Sequence, residues 1–256
     1  MSDAAHALRM IRYTNKAFWR NPANAFFTFV FPLMFLVIFT GLFGNDTITV
    51  VGREISLSTF YVSAIAAFSI ITATYTNLAI NVSFTRDAGV LKRIRGSPLP
   101  GWTYMAGRIG HAILVTILLV AIVVTFGALF YDAEVPTRTL PAFLTTIAVG
   151  AATFSALGLA LTSVIPNADA SPAIVNASIL PLLFLSGIFI PIEDPGAWYV
   201  SVAEFFPVYH FAEAMNSAYF SATGNGFEGG NLLVIGIWGL AGVILAVRFF
   251  SWEPRR

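Results

Sequence analysis

Apolar residues fall in long unbroken blocks along this 256-residue chain, with polar residues gathered between them. A helix needs roughly 20 apolar residues to cross a hydrocarbon layer. Six stretches qualify: residues 26–44, 57–81, 109–131, 140–165, 172–191 and 232–250. None alternates apolar and polar positions as a barrel strand does. The pattern therefore predicts an all-α membrane protein, a single domain over 1–256 with six transmembrane helices.

The segments between the blocks carry their own patterns. Residues 1–22 read as an amphipathic helix lying in the interface. Arg9, Arg12, Lys16 and Arg20 recur at spacings of three and four, making one basic stripe, with Phe18 on the opposite face and Trp19 on its flank. A positive flank that only sets topology is the plainer alternative. Residues 192–230 are too long for a turn and rich in aromatics. Asp194-Pro195 marks a helix start, Trp198 suits the interface, and Pro207 divides the run into two helices too short to cross. A re-entrant pair dipping in from outside fits best; two helices lying flat on the surface are the alternative.

Composition sharpens this picture. The chain is 57% hydrophobic and 11% charged, against about 25% charged in soluble domains. It has no cysteine, which removes disulfides and thiol chemistry. Twelve of the fourteen Lys and Arg residues fall on one side of the predicted spans, leaving Arg53 and Arg138 on the other. That bias places both termini in the cytoplasm of a multi-pass cell-membrane protein. The first block lacks a small-residue cleavage site and is read as retained.

Absences narrow the function. The chain contains no G-x-x-x-x-G-K-[ST] loop, H-E-x-x-H or G-x-S-x-G. It is thus expected to have no catalytic residues, metal or cofactor of its own, and no nucleic-acid partner. Spans one, two, four and five hold no ionisable residue inside, whereas proton-coupled carriers use a buried carboxylate. The driving force is expected to come from another polypeptide.

One basic island stands out, Arg86 to Pro100, within the cytoplasmic segment 83–105. Asp87 suits a helix cap, and Gly96-Ser97-Pro98 stops the helix. Val90, Leu91 and Ile94 make a small apolar face, while Lys92, Arg93 and Arg95 point elsewhere. Composition alone leaves open an ordinary positive-inside loop. Residue order goes further. Asp87-x-Gly89-Val-Leu-Lys-Arg-Ile-Arg-Gly-Ser97-Pro98, followed by Tyr104-x-x-Gly107-Arg108, resembles the intracellular signature of type-2 ABC exporter permeases. Pro181 to Pro191, then Trp198 and Phe206-Pro207-Val-Tyr, is similar to the fifth span and external helices of the same family. Asp87 stands where Glu is commoner there.

The resemblance implies a permease subunit that pairs with an identical or related second permease on two copies of a separate ABC ATPase, which binds the ATP and Mg. Asp87 to Arg95, with Ser97 and Pro98, would be the coupling helix, and Val90, Leu91 and Ile94 its apolar plug into the ATPase. Spans two and five would face their counterparts across a pathway, bringing Tyr61, Phe68, Tyr75, Asn77, Asn176, Phe184, Ser186 and Phe189 near a small amphipathic substrate. Packing between helices explains those residues as well. Among family members the chain looks most like drug-exporter permeases of the daunorubicin-resistance type, which implies efflux and antibiotic or multidrug resistance. Lipid or glycan-lipid export is the near alternative, and an ATP-independent channel or secondary carrier the distant one.

Overall fold

The computed structural model describes residues 3–43, 46–50, 53–96, 101–192, 196–221 and 224–253. Ser97, Pro98, Asp194 and Pro195 lie outside them. Helix α1 (Asp3–Trp19) precedes α2 (Pro22–Phe43). A hairpin of β1 (Thr47–Val50) and β2 (Arg53–Ser56) follows, antiparallel with Thr47 opposite Ser56. Next comes one continuous rod, α3 (Leu57–Ile71), a π-helical turn (Thr72–Thr76) and α4 (Asn77–Asp87). The short α5 (Val90–Arg95) leads to α6 (Gly101–Tyr131), α7 (Leu140–Leu161) and α8 (Ser171–Leu185). Two short helices, α9 (Trp198–Ala203) and α10 (Pro207–Phe220), precede α11 (Gly229–Phe249).

Among the described residues five rods are long and apolar enough to cross a membrane: α2, the α3–α4 rod, α6, α7 and α11. The fifth predicted span, 172–191, is shorter than expected. Helix α8 has 15 residues and ends where Gly187 turns through φ +79°, a backbone conformation natural only to glycine. Residues 186–190 continue as irregular chain that carries Phe189 back against α2 and α3. The expected spans at 57–81 and 109–131 are in fact parts of longer helices of 31 residues each. They overrun because their ends are polar yet still helix-forming, and hydropathy alone does not register that.

The α2, α3–α4, α6 and α7 rods alternate in direction, and α11 runs parallel to α7, with Gly239 against Thr153 and Gly242 against Leu157, so the bundle has two distinct ends. One carries α1, α5 and the α7–α8 loop. The other carries the hairpin, the α6–α7 loop and the α9–α10 pair. The α3–α4 rod is the centre of the core: every residue of α3 is buried. Two glycines let its neighbours approach. The position of Gly158 on α7 would put a Cβ 2.9 Å from the Tyr75 carbonyl oxygen, and that of Gly150 meets the ring of Phe211 on α10. Small residues at such contacts are what allow helices to close in lipid, where no hydrophobic effect drives them together. The hairpin was not expected; Ile55 on its inner face is buried over the end of the rod.

Candidate functional site

The basic end is assembled around the junction between α4 and α5. Helix α4 ends at Asp87, and Gly89, with φ +71°, turns the chain into α5. Asp87 does not cap α5 as the sequence led us to expect; no side chain does. Its carboxylate instead accepts the backbone N–H of Ala168 in the α7–α8 loop. Arg86, only 1% exposed, reaches the same region. Its guanidinium donates to the carbonyls of Thr162 (2.9 Å) and Ile165 (2.8 Å), and Nε lies 3.4 Å from Asp87 Oδ1. A cation at the C-terminus of α7 satisfies carbonyls left over by the helix and complements its dipole. Arg86 and Asp87 thus lock the root of α5 to the α7–α8 turn. In sequence Arg86 is one of several island charges; in the fold it is a strut.

The apolar triad of α5 is divided. Leu91 is fully buried in its own chain with Leu78, Val82, Tyr104 and Leu159, and Ile94 packs on that cluster. In this conformation both turn inward, because the helix lies against the feet of α4, α6 and α7. Val90 is exposed, together with Lys92, Arg93 and Arg95. The surface α5 offers is therefore basic with one valine.

Helix α1 lies alongside α6 as an amphipathic element should. Met10 and Ile11 pack where Gly107 and Gly110 remove side chains, and Phe18 meets His111 with ring centroids 5.2 Å apart. Arg9, Arg12, Lys16 and Arg20 all face outward, and Trp19 stacks on Phe29 of α2.

The proposed pathway residues separate into two groups. Tyr61, Phe68, Phe184 and Phe189 come together, but through α2. Phe39 stacks on Tyr61 (5.2 Å), Phe35 meets Phe68 (5.7 Å), and Phe189 touches Phe35, Phe39, Phe68 and Phe184. The sequence reading missed α2, although Phe31, Phe35 and Phe39 recur every fourth residue and so share a face. Tyr75 sits in the π-helical turn, and its hydroxyl pairs with Ser178 of α8 at 2.8 Å. Ser186 is buried and bonded to Leu183 of its own helix, Asn176 is exposed on α8, and Asn77 lines a separate cavity beside α1.

At the opposite end a cavity of about 720 Å³ is bordered by Tyr61, Gly187, Tyr209, Glu213 and Asn216. Asn216 accepts a hydrogen bond from Ser63 of α3. The α9–α10 pair turns around at Phe205 and Phe206, which pack on Trp238, roughly midway along α11. His210 fixes this turn by bonding to the Glu204 carbonyl and the Asn231 side chain, 2.7 Å each. Burial and the nearby Glu228 push the Glu213 carboxyl above its ordinary value, with His210 opposing.

Such a bundle, with long apolar rods and a short basic helix pinned to one end, defines a multi-pass helical membrane protein. The ABC-2 type transporter family profile matches residues 6–220, and the chain belongs to that family. It is thus a membrane permease subunit of an ABC transporter, a class that works with an ABC ATPase. It is 25% identical over 202 residues to the "Putative transport permease ycf38" of Porphyra purpurea, covering 78% of this chain and 69% of that one. Over 193 residues it is 24% identical to the "Putative transport permease YvfS" of Bacillus subtilis, covering 75% and 76%. It is also 24% identical over 142 residues to the "Probable multidrug ABC transporter permease YbhR" of Escherichia coli, covering 55% and 38%.

Proposed function

We propose that the chain is the membrane half of an ATP-driven exporter that moves an amphipathic, drug-like compound out of the cell. The basic end faces the cytoplasm in this reading. Two permeases, identical or related, sit on two ATPase subunits that meet Val90, Lys92, Arg93 and Arg95 on α5 and the basic stripe of α1. The observation that carries the proposal is the mounting of α5. A six-residue helix tied through Arg86 and Asp87 to the α7–α8 turn, and through Leu91 to the central rod, passes any push on α5 to several spans at once. The exposed rings of Phe31, Phe43 and Phe184, backed by the buried Tyr61, Phe68 and Phe189, suit an amphipathic cargo. The printed description of the Escherichia coli relative as multidrug supports that class. The α9–α10 pair is then an outer re-entrant element over the exit.

Reconstitution separates this reading from an ATP-independent carrier. The chain should move no fluorescent amphipathic drug across proteoliposomes alone, and should do so with ATP when reconstituted with a phosphate-loop ABC ATPase that co-purifies with it. Flux from the chain alone would establish the carrier instead.

A further inference from the structure

Beside α1, at the basic end, a cavity of about 260 Å³ is bordered by Phe18, Asn21, Asn24, Asn77, Asn81 and Arg108, with His111 behind them. We propose that it is a site for the phosphodiester headgroup of a membrane phospholipid from the leaflet at that end.

The first observation is an unneutralised cation. Arg108 is half-buried and bonds only to neutral groups: Nε to the Tyr104 hydroxyl at 3.0 Å and Nη2 to Thr85 Oγ1 at 2.7 Å. Its Nη1 has no partner among the described residues, no carboxylate there pairs with it, and no acid lines the cavity. A guanidinium withdrawn from water without a counter-ion is costly, and a phosphate is the anion whose geometry its fork fits. The second observation is a set of idle polar groups around the same space. His111 Nδ1 is buried with no partner, and the Asn77 side chain makes no hydrogen bond among the described residues.

Position selects a lipid over a soluble anion. The walls are α1, the start of α2, α4 and α6, so the cavity lies between an amphipathic helix and the roots of apolar rods. Its polar rim passes into Phe18, Leu78, Ala112 and Val115, matching the change from headgroup to acyl chain. Phe26 and Phe27 on neighbouring α2 are exposed and provide a surface for the chains. The volume falls below the roughly 300–1,000 Å³ of drug-sized pockets, which separates it from a cargo site, but it accommodates a headgroup whose tails lie outside. A lipid held there would cement α1 to α4 and α6, whatever the transporter carries.

The test uses the full chain, purified in mild detergent, delipidated, then exposed to phosphatidylglycerol. Bound phosphorus is measured and the lipid identified by mass spectrometry, with thermal unfolding as the control for folding. One phospholipid per chain is expected to survive washing. Arg108→Gln should reduce its retention about tenfold or more, Arg108→Lys should keep most of it, and Asn77→Leu should weaken it without disturbing the bonds of Arg108. Inorganic phosphate should not displace it. Equal retention by folded Arg108→Gln and Asn77→Leu, absence of any retained lipid, or displacement by inorganic phosphate would each overturn the proposal.

Discussion

At the scale of single residues, Arg86 and Arg93 make opposite uses of the same side chain. Arg93 is exposed and solvated, whereas Arg86 is enclosed, with two carbonyls and one carboxylate around its guanidinium. Hydrogen bonds to a charged group contribute about 1.5–3 kcal/mol each, and removing the donor strands the acceptors. Arg86→Ala should therefore destabilise the protein by roughly 2–4 kcal/mol. Arg86→Lys should cost less, because an ammonium keeps the charge but loses the fork. Arg93→Ala should stay within about 0.5 kcal/mol. Melting curves in detergent read all three. If Arg86→Ala and Arg93→Ala melt alike, Arg86 is not a strut. The strut was invisible in the sequence because its acceptors are backbone carbonyls 76 and 79 positions away. Composition marks a basic island; only packing decides which of its charges turns inward.

At the scale of elements, α10 carries an acid where its environment disfavours charge. Glu213 lines the outer cavity with Tyr61 and Asn216, with Glu228 adding repulsion. Its carboxyl is raised above 4.5, so the folded protein holds this proton more tightly than the unfolded chain does. Stability from this group is then greatest at acid pH and declines as pH rises from the ordinary value through the raised one. Glu213→Gln should remove that decline and raise the melting midpoint at neutral pH by a few degrees, since ~1 kcal/mol moves a chain of this size by about 2–4 °C. A parallel pH dependence in variant and parent would assign the slope to another group. The helix pair itself was legible from Pro207 and its flanking aromatics, as were the long spans from unbroken apolar runs. The hairpin, the π-helical turn and the shortness of α8 were not. The first is eight paired residues and the second one misplaced turn. The third depends on a glycine conformation that hydropathy does not register.

At the scale of the whole molecule, one face is incompatible with lipid on both sides. Asn176, Leu180 and Phe184 recur every fourth residue on α8 and are all exposed. An amide left in hydrocarbon is costly, so Asn176 belongs against another protein surface or a wet pathway. The face of α11 around Val247, 82% exposed, has no such group and suits lipid. If two permeases meet across α8, their Asn176 positions approach each other and their Val247 positions stay apart. The chain has no cysteine, so single substitutions report without interference. Asn176→Cys in membranes should cross-link with a short bifunctional thiol reagent to a species of twice the mass, while Val247→Cys should remain monomeric. For a heteromeric pair the same band appears only when the partner permease carries a cysteine at its matching position. Cross-linking through Val247 and not Asn176 would put the partner on α11 and take the exposed rings of α2 and Phe184 off the shared pathway. Cross-linking through Asn176 would place those rings between the two halves, where a cargo must pass.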